Sequence, residues 1–441
     1  MTTHQQKTYF MRTYGCQMNE LDTEVAAGIL ESMGFNRTQD DKNANLVLLN
    51  TCSIRDLAER KAFGKLGILS LKKKPNTIIG VMGCMANAKK DKILEKLPSV
   101  DFVIGTNNIH ELKNVVDEVS RTKQSVVKVD RHFYEELDYT QAKRTNPYSA
   151  YVSIIRGCNK YCTYCVVPYT RGKEVSRSHT DIIDEVKKLV DDGTKEITLL
   201  GQNVNSYGKD FENNNYLFHD LLADLDRIDG LQRIRFMTSH PVDITQELMF
   251  AIRDLPSACE FIHFPMQSGS QRILKKMHRI YTIEQYLEKV NMLKSIVPNA
   301  VLGTDIIVGF PTETDADFQE TYRHMKEIEY GVAFIFAFSK RKGTPAARWH
   351  DDIPEEVKQA RLQSLLKLQD NISVKQRQAM VGTNVELLIE KVNQKDSNLI
   401  QGRTRCWKNA IVKGNNNELG STLNVKVEGV NHQTLICSRV D

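Results

Sequence analysis

The 441 residues suffice for two or three domains with more than one buried core. Hydrophobic residues make up 41% and charged residues 26%, and no apolar run reaches the length of a membrane-crossing helix, which excludes a helical membrane protein. The net charge of +5 is mild for this length, so it permits nucleic-acid binding without requiring it.

Residues 1–7 are polar and lack the apolar core of a secretory signal, so a cytoplasmic chain without membrane attachment is expected. Over 1–121, apolar runs at 9–14, 46–49, 78–82 and 100–104 alternate with helical spacing at 21–33 and 56–71. That alternation predicts βαβ units on a parallel sheet. Residues 122–148 are polar and end in Thr145-Asn146-Pro147, which reads as a linker. From 149 to 378 a longer alternation follows, with runs at 151–155, 197–200, 234–237, 261–264, 301–308 and 332–338. Six strand–helix repeats predict a partial or complete βα-barrel, whose chemistry collects where its strands end. In 379–441, short runs at 385–388, 399–401, 410–412, 423–427 and 434–437 are broken by Gly and Asn, as in a small all-β barrel. The expected class is therefore α/β, with a parallel-sheet domain, a central (βα) barrel and a small C-terminal β-barrel. Short basic clusters at Lys72-Lys73-Lys74, Lys89-Lys90 and Lys340-Arg341-Lys342 read as solvated loops or helix ends.

Nine cysteines, an odd number in a cytosolic-looking chain, argue against a disulfide framework and for metal ligation. Cys158, Cys162 and Cys165 form a Cys-x-x-x-Cys-x-x-Cys loop just after the first barrel run. Three thiolates on one loop can hold three irons of a four-iron cluster and leave the fourth open to a small molecule. Zinc is the competing metal, but a structural zinc site wants four ligands, and no fourth Cys or His follows before His179. Cys16, Cys52 and Cys84 each close a separate N-terminal apolar run. In a parallel sheet three successive strand ends meet at one edge, so these three thiols are expected to converge into a second site. Cys259, Cys406 and Cys437 follow no such pattern. At the later strand ends, the polar turns at 201–205, 238–241, 267–270 and 309–313 suit a ligand pocket. Gln202, Asn203, Ser239, Gln267 and Ser268 in these turns, with Asp305 inside the run 301–308, are the candidate cofactor-binding residues.

The loop Gly157–Cys165, with Tyr164 before its third cysteine, resembles the radical S-adenosylmethionine signature. With the N-terminal triad, the whole chain resembles the methylthiotransferases. The stretch 165–177 and Thr13–Glu20 resemble the branch that makes 2-methylthio-N6-dimethylallyladenosine in tRNA. The chain departs from the usual pattern at Ser178-His179-Thr180 and around Cys406-Trp407. The resemblance implies two 4Fe–4S clusters, an auxiliary one on Cys16, Cys52 and Cys84 and a radical-generating one on Cys158, Cys162 and Cys165. It implies S-adenosylmethionine, two per turnover, as methyl source and radical source, and a C-terminal TRAM domain that contacts tRNA. The implied substrate is the anticodon-loop adenosine at position 37. The implied partners include an electron donor such as flavodoxin or ferredoxin and a sulfur source. Arg171 and Arg177 either position phosphate and order the loop or form structural salt bridges. Two other functions stay open from the residues: methylthiolation of a ribosomal-protein aspartate, and RNA binding with the clusters as structure alone.

Overall fold

A computed structural model describes residues 6–53, 56–130, 137–212 and 215–440. The chain forms two compact units. The first comprises Met1–Thr145, Arg156–Val175 and Arg341–Ala347; the second comprises Asn146–Ile155, Ser176–Lys340 and Arg348–Asp441.

In the first unit six strands run parallel: Thr8–Thr13, Asn36–Arg37, Leu46–Thr51, Ile78–Gly83, Phe102–Ile104 and Val126–Lys128. Their order across the sheet is second, first, third, fourth, fifth, sixth. Leu46–Thr51 is buried at every position, because helices cover both faces of a parallel sheet, and so it reads as an unbroken apolar run. The register sets Thr13 beside Asn50, and Thr51 beside Gly83. The strands that precede Cys16, Cys52 and Cys84 are thus immediate neighbours ending at one level.

Of the stretch 122–148, expected as a linker, the described residues through Thr145 belong to this unit instead, and 146–148 belong to the second. Val126–Lys128 is the sixth strand, too short to show periodicity and recruited by pairing with Phe102–Ile104. Further on, Glu24 ties the chain to the helix Gln17–Ser32: it accepts from Thr145 N at 3.0 Å and pairs with Arg144 at 3.2 Å.

In the second unit, Ser149–Ser153, Glu196–Leu200, Arg233–Phe236, Phe261–His263, Val301–Val308 and Val332–Ala337 lie parallel in sequence order. The third and fourth are linked by bonds from Ile234 N to Ser257 O (2.7 Å) and Cys259 N to Ile234 O (2.9 Å). Among the described residues no pairing joins the sixth strand to the first, so the barrel is partial. The long helix Glu355–Gln378 flanks the last strand, where Gln369 and Gln376 donate to the carbonyls of Tyr330 and Glu329.

The last five strands, Asn384–Val392, Leu399–Thr404, Asn409–Lys413, Thr422–Asn431 and Thr434–Arg439, form a closed barrel around Leu387, Ile389, Ile400, Val412, Val425 and Leu435. Two buried arginines at the start of the third barrel strand hold it. Arg233 reaches Glu386 (2.7 Å) and the Arg403 carbonyl (2.7 Å); Arg235 donates to the carbonyls of Arg405 and Thr404. Glu196, also buried, pairs with Arg235 at 2.8 Å, and Trp407 lies against the Arg235 and Arg403 guanidiniums. Burial opposes ionisation of Glu196, but Arg235, Arg403 and Arg233 outweigh it and hold the carboxyl below its usual range.

Removing one partner of a buried pair strands the other, at a cost of about 3–5 kcal/mol. Arg235→Ala is therefore expected to lower the thermal midpoint and expose the C-terminal barrel to limited proteolysis, and an unchanged melt would count against this anchoring. Because the Glu196 pKa is depressed on folding, its contribution is present above the unfolded value, about 4.3. It is lost as pH falls through the lower folded value.

Candidate cluster and cofactor site

Cys52 and Cys84 directly follow their strands, and Cys16 lies three residues past its own. Two glycines let the loops close together. Gly15 has φ +142°, and a Cβ there would fall 2.8 Å from the Cys52 Cβ. Gly83 has φ +95°, and a Cβ there would fall 2.3 Å from the Asn50 side-chain oxygen. The thiols gather around Asn19. Its Oδ1 lies 3.6 Å from Cys16 Sγ and 4.0 Å from Cys84 Sγ, and its amide nitrogen donates to the Thr51 carbonyl next to Cys52. Cys52 and Cys84 are buried. Burial pushes the Cys84 thiol up to about 12; Arg171 opposes this, while Cys52 and Cys16 add to it.

The second triad belongs to the same compact unit. Its loop is pinned at both ends: Cys158 N donates to Gly172 O, and Cys165 N donates to Cys162 O. Cys162 is buried, and burial pushes the Cys158 thiol up to about 12, against the opposing Lys160 backbone N–H. Beyond Cys165 the chain is held to the sheet. Asn87 and Thr106 donate to the Thr170 carbonyl at 2.6 and 3.3 Å, and Arg171 donates to Asp22 Oδ2 at 2.9 Å and Asn19 Oδ1 at 3.2 Å. These bonds are why 156–175 folds with the N-terminal unit although it follows a barrel strand in sequence.

Arg171 is therefore a buried salt-bridge residue and does not present its charge to phosphate. Arg177 likewise pairs with Glu185 at 2.8 Å and donates to the Ser153 carbonyl at 2.6 Å.

The donor chemistry fits clusters. Among the described residues no three Cys, His, Asp or Glu side chains gather around a single-ion point. A cluster distributes its thiolates over different irons and needs them set around a larger space. Raised thiol pKa values mean that such groups ionise readily only when a cation takes the proton's place.

In the second unit the polar strand ends divide into two sorts. Asn203 and Ser268 are buried and bond their neighbours. Asn203 donates to Asp243 at 2.7 Å and accepts from His240 N, while Ser268 accepts from Ser270 N and faces Thr321. Gln202 is half-buried. Ser239, Gln267 and Asp305 come together around His263. Ser239 N donates to the His263 carbonyl (3.3 Å), and Gln267 N donates to the Asp305 carbonyl (2.8 Å). His263 Nε2 lies 3.3 Å from Asp305 Oδ2. The Ser239 hydroxyl and Nδ1 of buried His263 have no hydrogen-bond partner among the described residues. Such groups call for a ligand or water. His263 was not singled out from sequence, although a histidine inside the run Phe261-Ile262-His263-Phe264 is a legible oddity. Asn19 and Asp22 carry no signal in the sequence, because their partners lie on other strand ends and, for Arg156 and Arg171, more than a hundred positions away.

Comparison with known proteins accords with this geometry. Residues 8–105 match the uncharacterized protein family UPF0004, and residues 152–325 match the radical SAM superfamily. A radical S-adenosylmethionine methyltransferase, TsrM from Kitasatospora setae, superposes with a TM-score of 0.57 at 14% identity, covering 77% of this chain and 75% of that one; this is a likeness of fold. A tRNA-2-methylthio-N(6)-dimethylallyladenosine synthase of Protochlamydia amoebophila (strain UWE25) is 64% identical over 98% of this chain and 96% of its own length. Relatives of the same name are 47% identical in Clostridium botulinum (strain Loch Maree / Type A3), over 97% and 96%, and 43% identical in Carboxydothermus hydrogenoformans (strain ATCC BAA-161 / DSM 6008 / Z-2901), over 96% and 97%. With the radical SAM fold in place and likeness running through nearly the whole length, the chain belongs to the tRNA-2-methylthio-N(6)-dimethylallyladenosine synthase family.

Proposed function

We propose that this protein inserts a methylthio group at carbon 2 of N6-(dimethylallyl)adenosine at position 37 of tRNA, in the cytoplasm. The gathering of Cys16, Cys52 and Cys84 around one buried asparagine, at three neighbouring strand ends, is the observation that carries this function over a generic radical enzyme. Cys158, Cys162 and Cys165 would hold one 4Fe–4S cluster, and the N-terminal triad would hold a second. With S-adenosylmethionine, two per turnover, these groups supply radical chemistry at a C–H bond that no side chain is basic enough to deprotonate.

The chain's own residues bind, orient and shelter. Gln202, Ser239, Gln267 and Asp305, with His263 among them, offer polar contacts to S-adenosylmethionine. Asn203 and Ser268 shape the turns that present them. The C-terminal barrel, with exposed Lys391, Lys413 and Lys426, offers positive charge to tRNA phosphates. Its anchoring through Arg233 and Arg235 lets it act as a fixed guide. A one-electron donor such as flavodoxin or ferredoxin and a sulfur source complete the scheme.

Anaerobic reconstitution should yield about eight irons per chain, falling to about four when Cys158, Cys162 and Cys165 are all replaced by alanine. Bound zinc, or four irons or fewer in the unaltered protein, would defeat the two-cluster assignment. Cys52→Ala should abolish methylthio product in mass spectra of tRNA while 5′-deoxyadenosine is still released with dithionite and S-adenosylmethionine. Normal product from that variant would falsify the role given to the N-terminal triad.

A further inference from the structure

Asn19 is fully buried, and its amide nitrogen is committed to the carbonyl oxygens of Tyr14 and Thr51 and to the Asn50 side-chain oxygen. Those three acceptors settle which way the amide points. The Asn19 oxygen must then face the remaining neighbours, which are Cys16 Sγ, Cys84 Sγ and the Arg171 guanidinium. A single Nη2 of Arg171 bonds both Asn19 and Asp22. Asp22 has no exposed surface and divides its carboxylate, Oδ1 pairing with Arg156 at 3.3 Å and Oδ2 with Arg171. It therefore does not serve Arg171 alone.

A guanidinium stays charged under any condition the protein meets, and in a buried setting its field is weakly screened. Here that field falls on the thiols of Cys16 and Cys84. A cluster on three thiolates is anionic and gains a further negative charge on reduction, so a fixed positive charge beside it favours the reduced form.

We propose that Arg171, oriented by Asp22 and Asn19, is the electrostatic partner of the cluster held by Cys16, Cys52 and Cys84 and raises its reduction potential. This rests on the two-cluster assignment above. Arg171 sits six residues after Cys165, the last ligand of the other triad. One side chain thus ties the radical-generating loop to the charge state of the auxiliary cluster, and its role is to position and tune rather than to touch substrate. A salt bridge whose field does not reach the cluster would leave the potential indifferent to the sign of the charge removed.

The test uses the full-length protein with Cys158, Cys162 and Cys165 replaced by alanine, so that only the N-terminal cluster is reconstituted, and reads its potential by EPR-monitored redox titration. Arg171→Gln should move the midpoint to more negative values, by about a tenfold change in the reduced-to-oxidised ratio (about 59 mV for one electron). Arg171→Lys, which keeps the charge, should stay near the parent value. Asp22→Asn, which removes the opposing charge, should move the midpoint to more positive values. Unmoved midpoints, or shifts of the same sign in Arg171→Gln and Asp22→Asn, overturn the proposal. If Arg171→Gln retains no cluster, Asp22→Asn decides: a positive shift supports the proposal and no shift overturns it. If the parent itself takes up no iron, the two-cluster assignment fails first and this inference falls with it.

Discussion

Parallel strands end together, and nearly everything distinctive in this protein follows from that. A residue just past one strand can meet a residue just past the next only where neighbouring strands stop at the same level and the turns are tight. The register of the N-terminal sheet supplies the first condition, and Gly15 and Gly83 supply the second. A related geometry recurs in the partial barrel, where Ser239, His263 and Gln267 lie at or just past the ends of two successive parallel strands, beside Asp305 within the next.

Buried charge then decides which segments stay together. Asp22 holds two guanidiniums in the first unit, and Glu196 stands between two in the second. Such pairs add little net stability, because desolvating the charges offsets most of their attraction. Their value is directional. A planar guanidinium satisfies several acceptors at fixed angles, so Arg171 brings its loop to one place on the sheet edge, and Arg233 and Arg235 fix how the C-terminal barrel meets the strand starts. Trp407 contributes by stacking on Arg235 and Arg403.

The polar groups near the triads are therefore of two kinds. Asn50, Asn87 and Thr106 complete backbone hydrogen bonding and build the edge. Asn19 also builds it, but its oxygen faces the Cys16 and Cys84 sulfurs while doing so, and Arg171 donates to that same oxygen. An iron–sulfur protein tunes its cluster through such neighbours, since the thiolates themselves offer little variation.

Much was legible in the sequence. Three cysteines within eight residues cannot be spread over a fold, so the triad Cys158, Cys162 and Cys165 was local information. The strand–helix alternation followed from hydrophobic periodicity, which reports burial directly, and the five short runs broken by Gly and Asn marked the closing barrel. Tertiary structure alone decided the rest. The three-residue strand Val126–Lys128 has no pattern of its own and exists because the Phe102–Ile104 edge was open to it. The loop of the second triad folds with the N-terminal unit because Arg171 meets Asp22 across about 150 residues of chain, a pairing no periodicity encodes. The fate of Arg171 and Arg177, buried against carboxylates instead of turned to phosphate, was undecidable from sequence for the same reason: an arginine's partner is set by where the fold brings an acid, and that is a property of the whole chain.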